Sequence, residues 1–378
     1  MSAIPLDSHG LEQPNIYYHS DRAKWETCTV HRLAEDPSLP RQPLPDGFPV
    51  KVEGPMVWEA SDWTDERQWL FELAEADLQE INEALAYFKG NLDQPMGFMT
   101  QATFPLPKLS PKPRSLSNEL HDGRGFFVLR TIPIDAYCKE ELGIRGKQDG
   151  TGAVFGHIKD LTLSHASATD STPFGNAAYT TEAQVFHTDV DDLVALLMLE
   201  KALEGGTSRL ASTARVYNEL AETRPDLVKV LAEPSPLDSL GGNPPYSMRP
   251  FLFYSDPHCT GYRAQVRCPD IPPIAEAQAE ALDAVHFFAE KHSFPLVLRK
   301  GDIQFISGLG LLHARDGYTD DPAHPLHLIR LWLRNEEFTW KTPPELESVW
   351  NRIYSLEPER QRFPLDPEDR TKSKGVSK

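Results

Sequence analysis

Gln184-Val185-Phe186-His187-Thr188-Asp189-Val190-Asp191-Asp192, followed by the apolar run 193–199, is the stretch around which the chain is organised. Read as a strand over 186–190, it turns side chains two apart to one face, so His187 and Asp189 point the same way and can grip one ion. Two histidines and one carboxylate on one face of a metal leave positions open, the ligand pattern of non-haem iron(II) sites. The third donor should then be a histidine from a distant strand, and His313 is the candidate.

A bare His-x-Asp triplet is common by chance, and its company decides its weight. After the apolar run comes Glu204-Gly205-Gly206-Thr207-Ser208, and far downstream Lys300-Gly301-Asp302-Ile303-Gln304-Phe305, then His313, then His327-Leu328-Ile329-Arg330-Leu331-Trp332-Leu333. In this order the pieces resemble the taurine dioxygenase family of iron(II)/2-oxoglutarate oxygenases, its fungal members especially. The resemblance covers the second half of the chain and, more loosely, the region from Ser115 onward.

The resemblance implies that His187, Asp189 and His313 hold Fe(II) and that 2-oxoglutarate and O2 are the co-substrates. Ser208 stands where the family has a threonine that hydrogen-bonds 2-oxoglutarate, with Thr207 one residue earlier, so either hydroxyl can serve. Oxidative decarboxylation to succinate and CO2 would drive oxidation of an unactivated C–H bond. Hydroxylation is the default outcome, with desaturation or ring closure equally open. The substrate would be a small organic molecule such as an amino acid, another organic acid or a natural-product intermediate of secondary metabolism. Two departures stand out: Ser307-Gly308 replaces an asparagine pair before the distal histidine, and Leu326 stands where the family tends to place an extra arginine.

Arg330 lies in a strand that reads as buried, and a guanidinium there is costly unless it meets an anion. Its planar fork fits either a structural carboxylate or the distal carboxylate of 2-oxoglutarate, and its spacing after His313 favours the co-substrate. Arg334, Arg315 and Arg249 are candidates for an anionic group on the substrate, and Tyr179, in the small, polar run 170–181 ahead of the metal strand, is a further substrate candidate. Such a run is either a contact loop at the mouth of the site or a solvated connection. Asp191 and Asp192 either orient His187 or form a solvated turn. Trp332 and Phe186 read as core.

A formal net charge of -18 argues against nucleic acid or an anionic membrane as partner. No apolar run is long enough to span a bilayer, so a soluble, cytoplasmic chain is expected. Cys28, Cys138, Cys259 and Cys268 show no paired metal-binding spacing and are expected to be reduced. The expected partner is a small-molecule substrate, and a homo-oligomer stays open.

Short strands cut by glycine turns, with helices gathered at the start and in one insertion, suggest a mainly β fold with helical additions. The family's fold is a double-stranded β-helix, a cupin-like jelly roll. Residues 1–114 are expected to form an N-terminal extension whose helices pack on the core. The oxygenase domain would span 115–342, with an insert at 233–250 too long and proline-broken for a tight hairpin. Residues 343–378 form a C-terminal segment with a disordered tail. Prolines 40–49 are expected to leave the first 56 residues without regular structure, wrapped on the surface. Helices are expected at 64–67 onward, 75–89, 114–121, 140–144, 213–231 and 275–292. Strands are expected at 125–130, 153–158, 251–254, 262–268, 296–298, 303–306 and 329–333.

Two other functions share these ligands. A zinc hydrolase could use all three with a bound water, although it has no use for Arg330 on a buried strand. A non-catalytic jelly roll would bind a sugar or organic acid, and metal content would separate it.

Overall fold

The computed structural model describes residues 20–108, 111–132, 152–162, 177–189, 191–238, 246–249, 274–342, 344, 347, 350, 351 and 354–367. Its apolar runs build two sheets. One has six strands in the order β1 (Leu70–Glu72), β2 (Phe126–Arg130), β11 (Ile303–Ser307), β5 (Leu193–Glu200), β14 (His327–Leu333) and β3 (Gly156–Ile158). β1 runs parallel to β2, and the other pairings are antiparallel. The second sheet has four antiparallel strands in the order β10 (Phe294–Leu296), β7 (Ser208–Ser212), β12 (Leu311–Arg315) and β4 (Gln184–His187).

The sheets face one another across a single apolar layer. Phe126, Val194, Leu196 and Ile306 from the six-stranded sheet meet Leu210, Leu296 and Leu311 from the four-stranded one. β5 is apolar along its length because both its faces are covered: Val194, Leu196 and Met198 enter the layer between the sheets, while Ala195 and Leu197 pack with Phe155, Ile329 and Leu331 on the other side. From β3 through β4 and β5 to β7, and again from β10 through β11 and β12 to β14, successive strands lie in alternate sheets. That alternation makes β4 and β12 neighbours although they are far apart in sequence. Gly301, at φ +90, makes the turn into β11, where a Cβ would meet the Ile132 carbonyl. The next residue, Asp302, is fully buried and takes both arms of Arg130 at 2.9 Å.

The outer face of the four-stranded sheet is covered by helices α4 (Thr213–Thr223), α5 (Pro225–Ala232) and α6 (Glu276–His292), which pack on Phe186, Ala211, Leu312 and Ala314. A further helix, α1 (Arg22–Glu35), lies on α6 and corrects the expectation of an irregular N-terminal segment. It starts at Asp21, whose side chain accepts from the Lys24 amide. It buries no residue fully and is held instead by Trp25 stacked on Phe287 at 5.0 Å and by Arg32 on the buried Glu280. A helix fastened by an aromatic stack and ion pairs leaves only a faint apolar stripe in its sequence.

Other boundaries also move. The expected helix 213–231 is two helices, because Pro225 cannot continue the first and starts the second. Proline likewise opens α3 (Pro111–His121) three residues early, while 66–68 form only a 3-10 turn. Helix α2 (Glu75–Ala86) runs on into a wide turn over Tyr87–Leu92. The insert at 233–250 contains an antiparallel ribbon of β8 (Ser235–Asp238) and β9 (Tyr246–Arg249), so it has regular structure after all. A second short ribbon pairs β6 (Glu204–Gly205) with β13 (Tyr318–Thr319). The expected elements at 140–144, 251–254 and 262–268, and Cys138, Cys259 and Cys268, lie outside the described residues. Cys28 is a free thiol. Among the described residues no helix is long and apolar enough to cross a membrane.

Candidate active site

The β4–β12 ladder pairs His187 directly with His313 and brings their ring centroids to 4.2 Å. Asp189 follows two residues after His187, just past the end of β4. One donor atom from each of the three lies within 4.8 Å of the others. The Nδ1 of His187 donates to the Val185 carbonyl at 2.8 Å, which leaves Nε2 as its ligating atom. Two imidazole nitrogens and one carboxylate oxygen suit Fe(II), with positions left open for further oxygen ligands.

Asp189 is gripped from the facing sheet. Arg330 Nη1 donates to its two oxygens at 3.0 and 3.2 Å, and Trp332 Nε1 donates to Oδ2 at 3.0 Å. Arg330 and Trp332 are two apart on β14, so both reach inward. Burial pushes the Asp189 carboxyl up, but Arg330, the two histidines and the Trp332 N–H outweigh it and hold the group at about 2. Desolvation lowers His187, and burial followed by the neighbouring His187 lowers His313 to about 3. The site therefore presents neutral imidazoles and an ionised carboxylate, the forms that bind metal.

The acidic pair that follows is not a solvated turn, nor does it orient His187. Asp192 is buried and accepts from His121 Nε2 at 3.2 Å, the Asn335 amide at 3.2 Å and Thr339 Oγ1 at 3.0 Å. Asp191 is fully buried, and neither of its oxygens has a hydrogen-bond partner among the described residues. Burial, then the charge of Asp189, lifts its carboxyl well above the ordinary range.

Beside the triad a pocket opens between the sheets, lined by His187, His313, Arg330, Arg315, Ser208 and Gln304 together with apolar Ile158, Leu196, Met198 and Leu328. Ser208 faces Arg315 across the β7–β12 ladder, and its hydroxyl donates to Gln304 Oε1 at 2.9 Å. Gln304 is fully buried, and its Nε2 has no hydrogen-bond partner among the described residues. Arg315 Nη2 donates to the carbonyls of Thr180 and Glu182, and its guanidinium lies 4.5 Å above the Tyr318 ring.

The expected site residues divide accordingly. His187, Asp189, His313, Arg330, Ser208 and Arg315 come together. Thr207 precedes β7 and is not among the residues lining the pocket. Arg334 lies over Trp350 at 5.0 Å, and Tyr179 is buried outside the pocket lining. The Arg249 side chain lies outside the described residues. Sequence reasoning passed over Gln304 and the indole N–H of Trp332. Gln304 had a signal: a glutamine amid the apolar residues of a buried strand has to be hydrogen-bonded or to await a ligand.

A family model described as "Taurine catabolism dioxygenase TauD, TfdA family" matches residues 91–332. The taurine hydroxylase-like protein SAT17 of Stachybotrys chartarum is 32% identical over 354 residues, which cover 84% of this chain and 89% of that one. FR-33289 synthase of Streptomyces rubellomurinus is 24% identical over 308 residues, 75% of this chain and 91% of that one. Among solved structures, asparagine oxygenase in complex with Fe(II), 2S,3S-3-hydroxyasparagine and succinate superposes with a TM-score of 0.51 at 17% identity, over 70% of this chain and 93% of that one. That last likeness is one of fold.

Proposed function

Because the chain belongs to the taurine catabolism dioxygenase TauD, TfdA family, we propose that it oxidises an unactivated C–H bond of a small organic molecule. It is a 2-oxoglutarate-dependent non-haem iron oxygenase, with Fe(II), 2-oxoglutarate and O2 as its cofactor and co-substrates. The observation that carries the site assignment is the His187, Asp189 and His313 triad, with donors within 4.8 Å, opening onto a pocket lined by guanidinium groups. When bound, the metal and co-substrates supply the oxidising power, with succinate and CO2 as co-products.

The chain's own residues do the rest. His187, Asp189 and His313 hold the metal, and Arg330 and Trp332 fix the direction of the Asp189 carboxylate. Ser208 and one of the two interior arginines, Arg330 or Arg315, meet the carboxylate end of 2-oxoglutarate. Leu196, Met198 and Leu328 keep water from the reacting atoms. We read the two sheets as the halves of a double-stranded β-helix, since their main strands alternate between sheets along the chain. Residues 115–342 then form the oxygenase unit, with 1–114 as an N-terminal extension and 343–378 as a C-terminal segment.

For substrate we favour an amino acid or a natural-product intermediate, with hydroxylation as the outcome. Relatives named as a taurine hydroxylase-like protein and as a synthase support this class.

The test is an anaerobic titration of metal-free protein with Fe(II) and 2-oxoglutarate, following the visible metal-to-ligand charge-transfer band. The band is expected in the wild type and absent in His313→Ala. A wild type that purifies with stoichiometric zinc and gives no band would point to the hydrolase instead.

A further inference from the structure

Helix α3 ends at His121, which is 2% exposed and lies on Phe338 with ring centroids 6.3 Å apart. Both of its ring nitrogens face acceptors. Nδ1 stands 2.8 Å from the Ser117 carbonyl, which can only accept, and Nε2 stands 3.3 and 3.2 Å from the two oxygens of Asp192. The ring therefore donates twice and carries a positive charge. Burial opposes that charge, but Asp192, the Ser117 carbonyl and Asp122 outweigh it, and the His121 pKa lies above its ordinary value.

Asp192 is held through side chain and backbone alike. Its carboxylate also takes the Asn335 amide at 3.2 Å and the Thr339 hydroxyl at 3.0 Å. Its amide donates to the Tyr354 hydroxyl at 3.2 Å, and that hydroxyl donates on to the Leu333 carbonyl at 2.9 Å, one residue past Trp332. Its carbonyl accepts from the Gly308 amide at 2.9 Å, and a Cβ at Gly308 would come within 2.5 Å of the Asp191 backbone oxygen. Only two residues separate Asp192 from Asp189, and three residues of chain reach about 11 Å at most. A shift at Asp192 is passed on to Asp189. A buried ion pair adds little net stability over apolar side chains of the same volume, but its directional bonds fix one arrangement.

Resting on the metal-site reading above, we propose that His121 is a positioning residue for the metal centre, acting through Asp192 to hold the chain after β4 where Asp189 can meet the ion together with His187 and His313. Arg330 and Trp332 aim the Asp189 carboxylate from the facing sheet, and His121 anchors the backbone that carries it. Helix α3 thereby belongs to the metal centre although none of its side chains lines the pocket.

The experiment titrates metal-free protein with Co(II) without O2, reading the affinity and the visible d–d spectrum, which reports ligand geometry. Urea melts give stability alongside, and His313→Ala identifies the spectrum of this site. His121→Phe, which keeps an aromatic ring on Phe338, is expected to weaken Co(II) about 10-fold and to alter the spectrum. The sign is diagnostic, because removing a positive charge near a cation would by itself tighten binding. Arg224→Met, in the outer helices, is expected to lose stability and keep the wild-type affinity and spectrum. With Asp192→Asn already in place, the loss from His121→Phe is expected to shrink below about threefold, since the group it acts through has changed. His121→Gln, which keeps a neutral donor, is expected to fall between wild type and His121→Phe.

Unchanged or tighter binding in His121→Phe would overturn the proposal, as would full additivity with Asp192→Asn or an equal loss in Arg224→Met. Where His121→Phe does not fold, His121→Gln decides, and a wild-type affinity and spectrum there would overturn it. A wild type that gives no Co(II) spectrum, or one that survives His313→Ala, removes the metal-site reading itself.

Discussion

Trp332 and Asp189 are joined by a hydrogen bond of 3.0 Å from the indole Nε1 to Oδ2, on the same carboxylate that Arg330 holds by Nη1. A metal ligand is thus aimed by two donors from the opposite sheet, one charged and one neutral. Arg330→Met is expected to lower metal affinity about 10- to 100-fold, the range for losing an orienting partner of a ligand. Trp332→Phe keeps most of the packing and loses the N–H, about 1 kcal/mol or roughly fivefold. An anaerobic Co(II) or Fe(II) titration of the metal-free proteins checks both, and unchanged affinity in Arg330→Met would remove its orienting role.

Metal binding should hold up in mild acid. An ordinary pair of histidines with pKa about 6.5 is mostly protonated at about pH 5.5, which would cost roughly 100-fold in affinity relative to about pH 7.5. Here desolvation lowers His187, and burial with His187 nearby lowers His313 to about 3, so protons compete only at lower pH. The expected loss over that window is less than about fivefold. Isothermal titration at the two pH values decides it, and a 100-fold fall would show ordinary imidazoles.

Asp191 should make the fold pH-sensitive in the opposite direction from a paired carboxylate. Its folded pKa is raised well above the ordinary value of 3.8, by burial and then by the charge of Asp189. Below that value both folded and unfolded chains carry the proton, and there is no penalty. As pH rises, the unfolded chain releases a proton that the folded chain retains, so stability falls. Asp191→Asn removes the titration, and its advantage over wild type is expected to grow from about pH 4 to about pH 7. Urea melts of the two proteins across that range test this, and a constant difference would contradict it.

At the outer helices, Glu280 is fully buried between Arg32 and Arg224, and Arg224 also takes Asp226 with both arms at 2.8 and 2.9 Å. Removing Arg224 leaves the buried Glu280 with Arg32 alone and takes from Asp226 its two-armed partner. Arg224→Met is expected to cost about 3–5 kcal/mol, whereas Arg22→Ala, whose partner Glu290 is half exposed, should cost under about 1 kcal/mol. Chemical denaturation separates the two. Equal, small effects would show that the network contributes little.

Much of the site was legible in the sequence because its ligands occur in short, periodic stretches. The His-x-Asp spacing marked His187 and Asp189 as partners although β4 ends at His187 and Asp189 lies just beyond it, and a polar residue inside an apolar run marked Arg330. What periodicity does not reveal is who meets whom across the layer. Arg330 could as well have met a ligand as Asp189, and the ladder that seats Ser208 opposite Arg315 depends on sheet order. Asp191 and Asp192 read as a solvated turn because acidic pairs usually are, yet both are buried, Asp192 against His121 of α3. Helix α1 was hidden for a different reason: ion pairs and one stacked tryptophan hold it, and neither has a repeat.

The six-stranded sheet would present two open margins if its ends were bare. One margin is occupied by β1, drawn from residues 70–72 and laid parallel on β2. Next to the other, the segment leading into β3 exchanges backbone hydrogen bonds with Arg362, through the Val154 amide and the Gly152 carbonyl. The terminal segments thus act as guards against strand addition by other molecules. Trimming the chain to its enzymatic centre would bare the β2 edge and invite intermolecular association, so that shortened forms should fail first by aggregating rather than by losing the iron ligands.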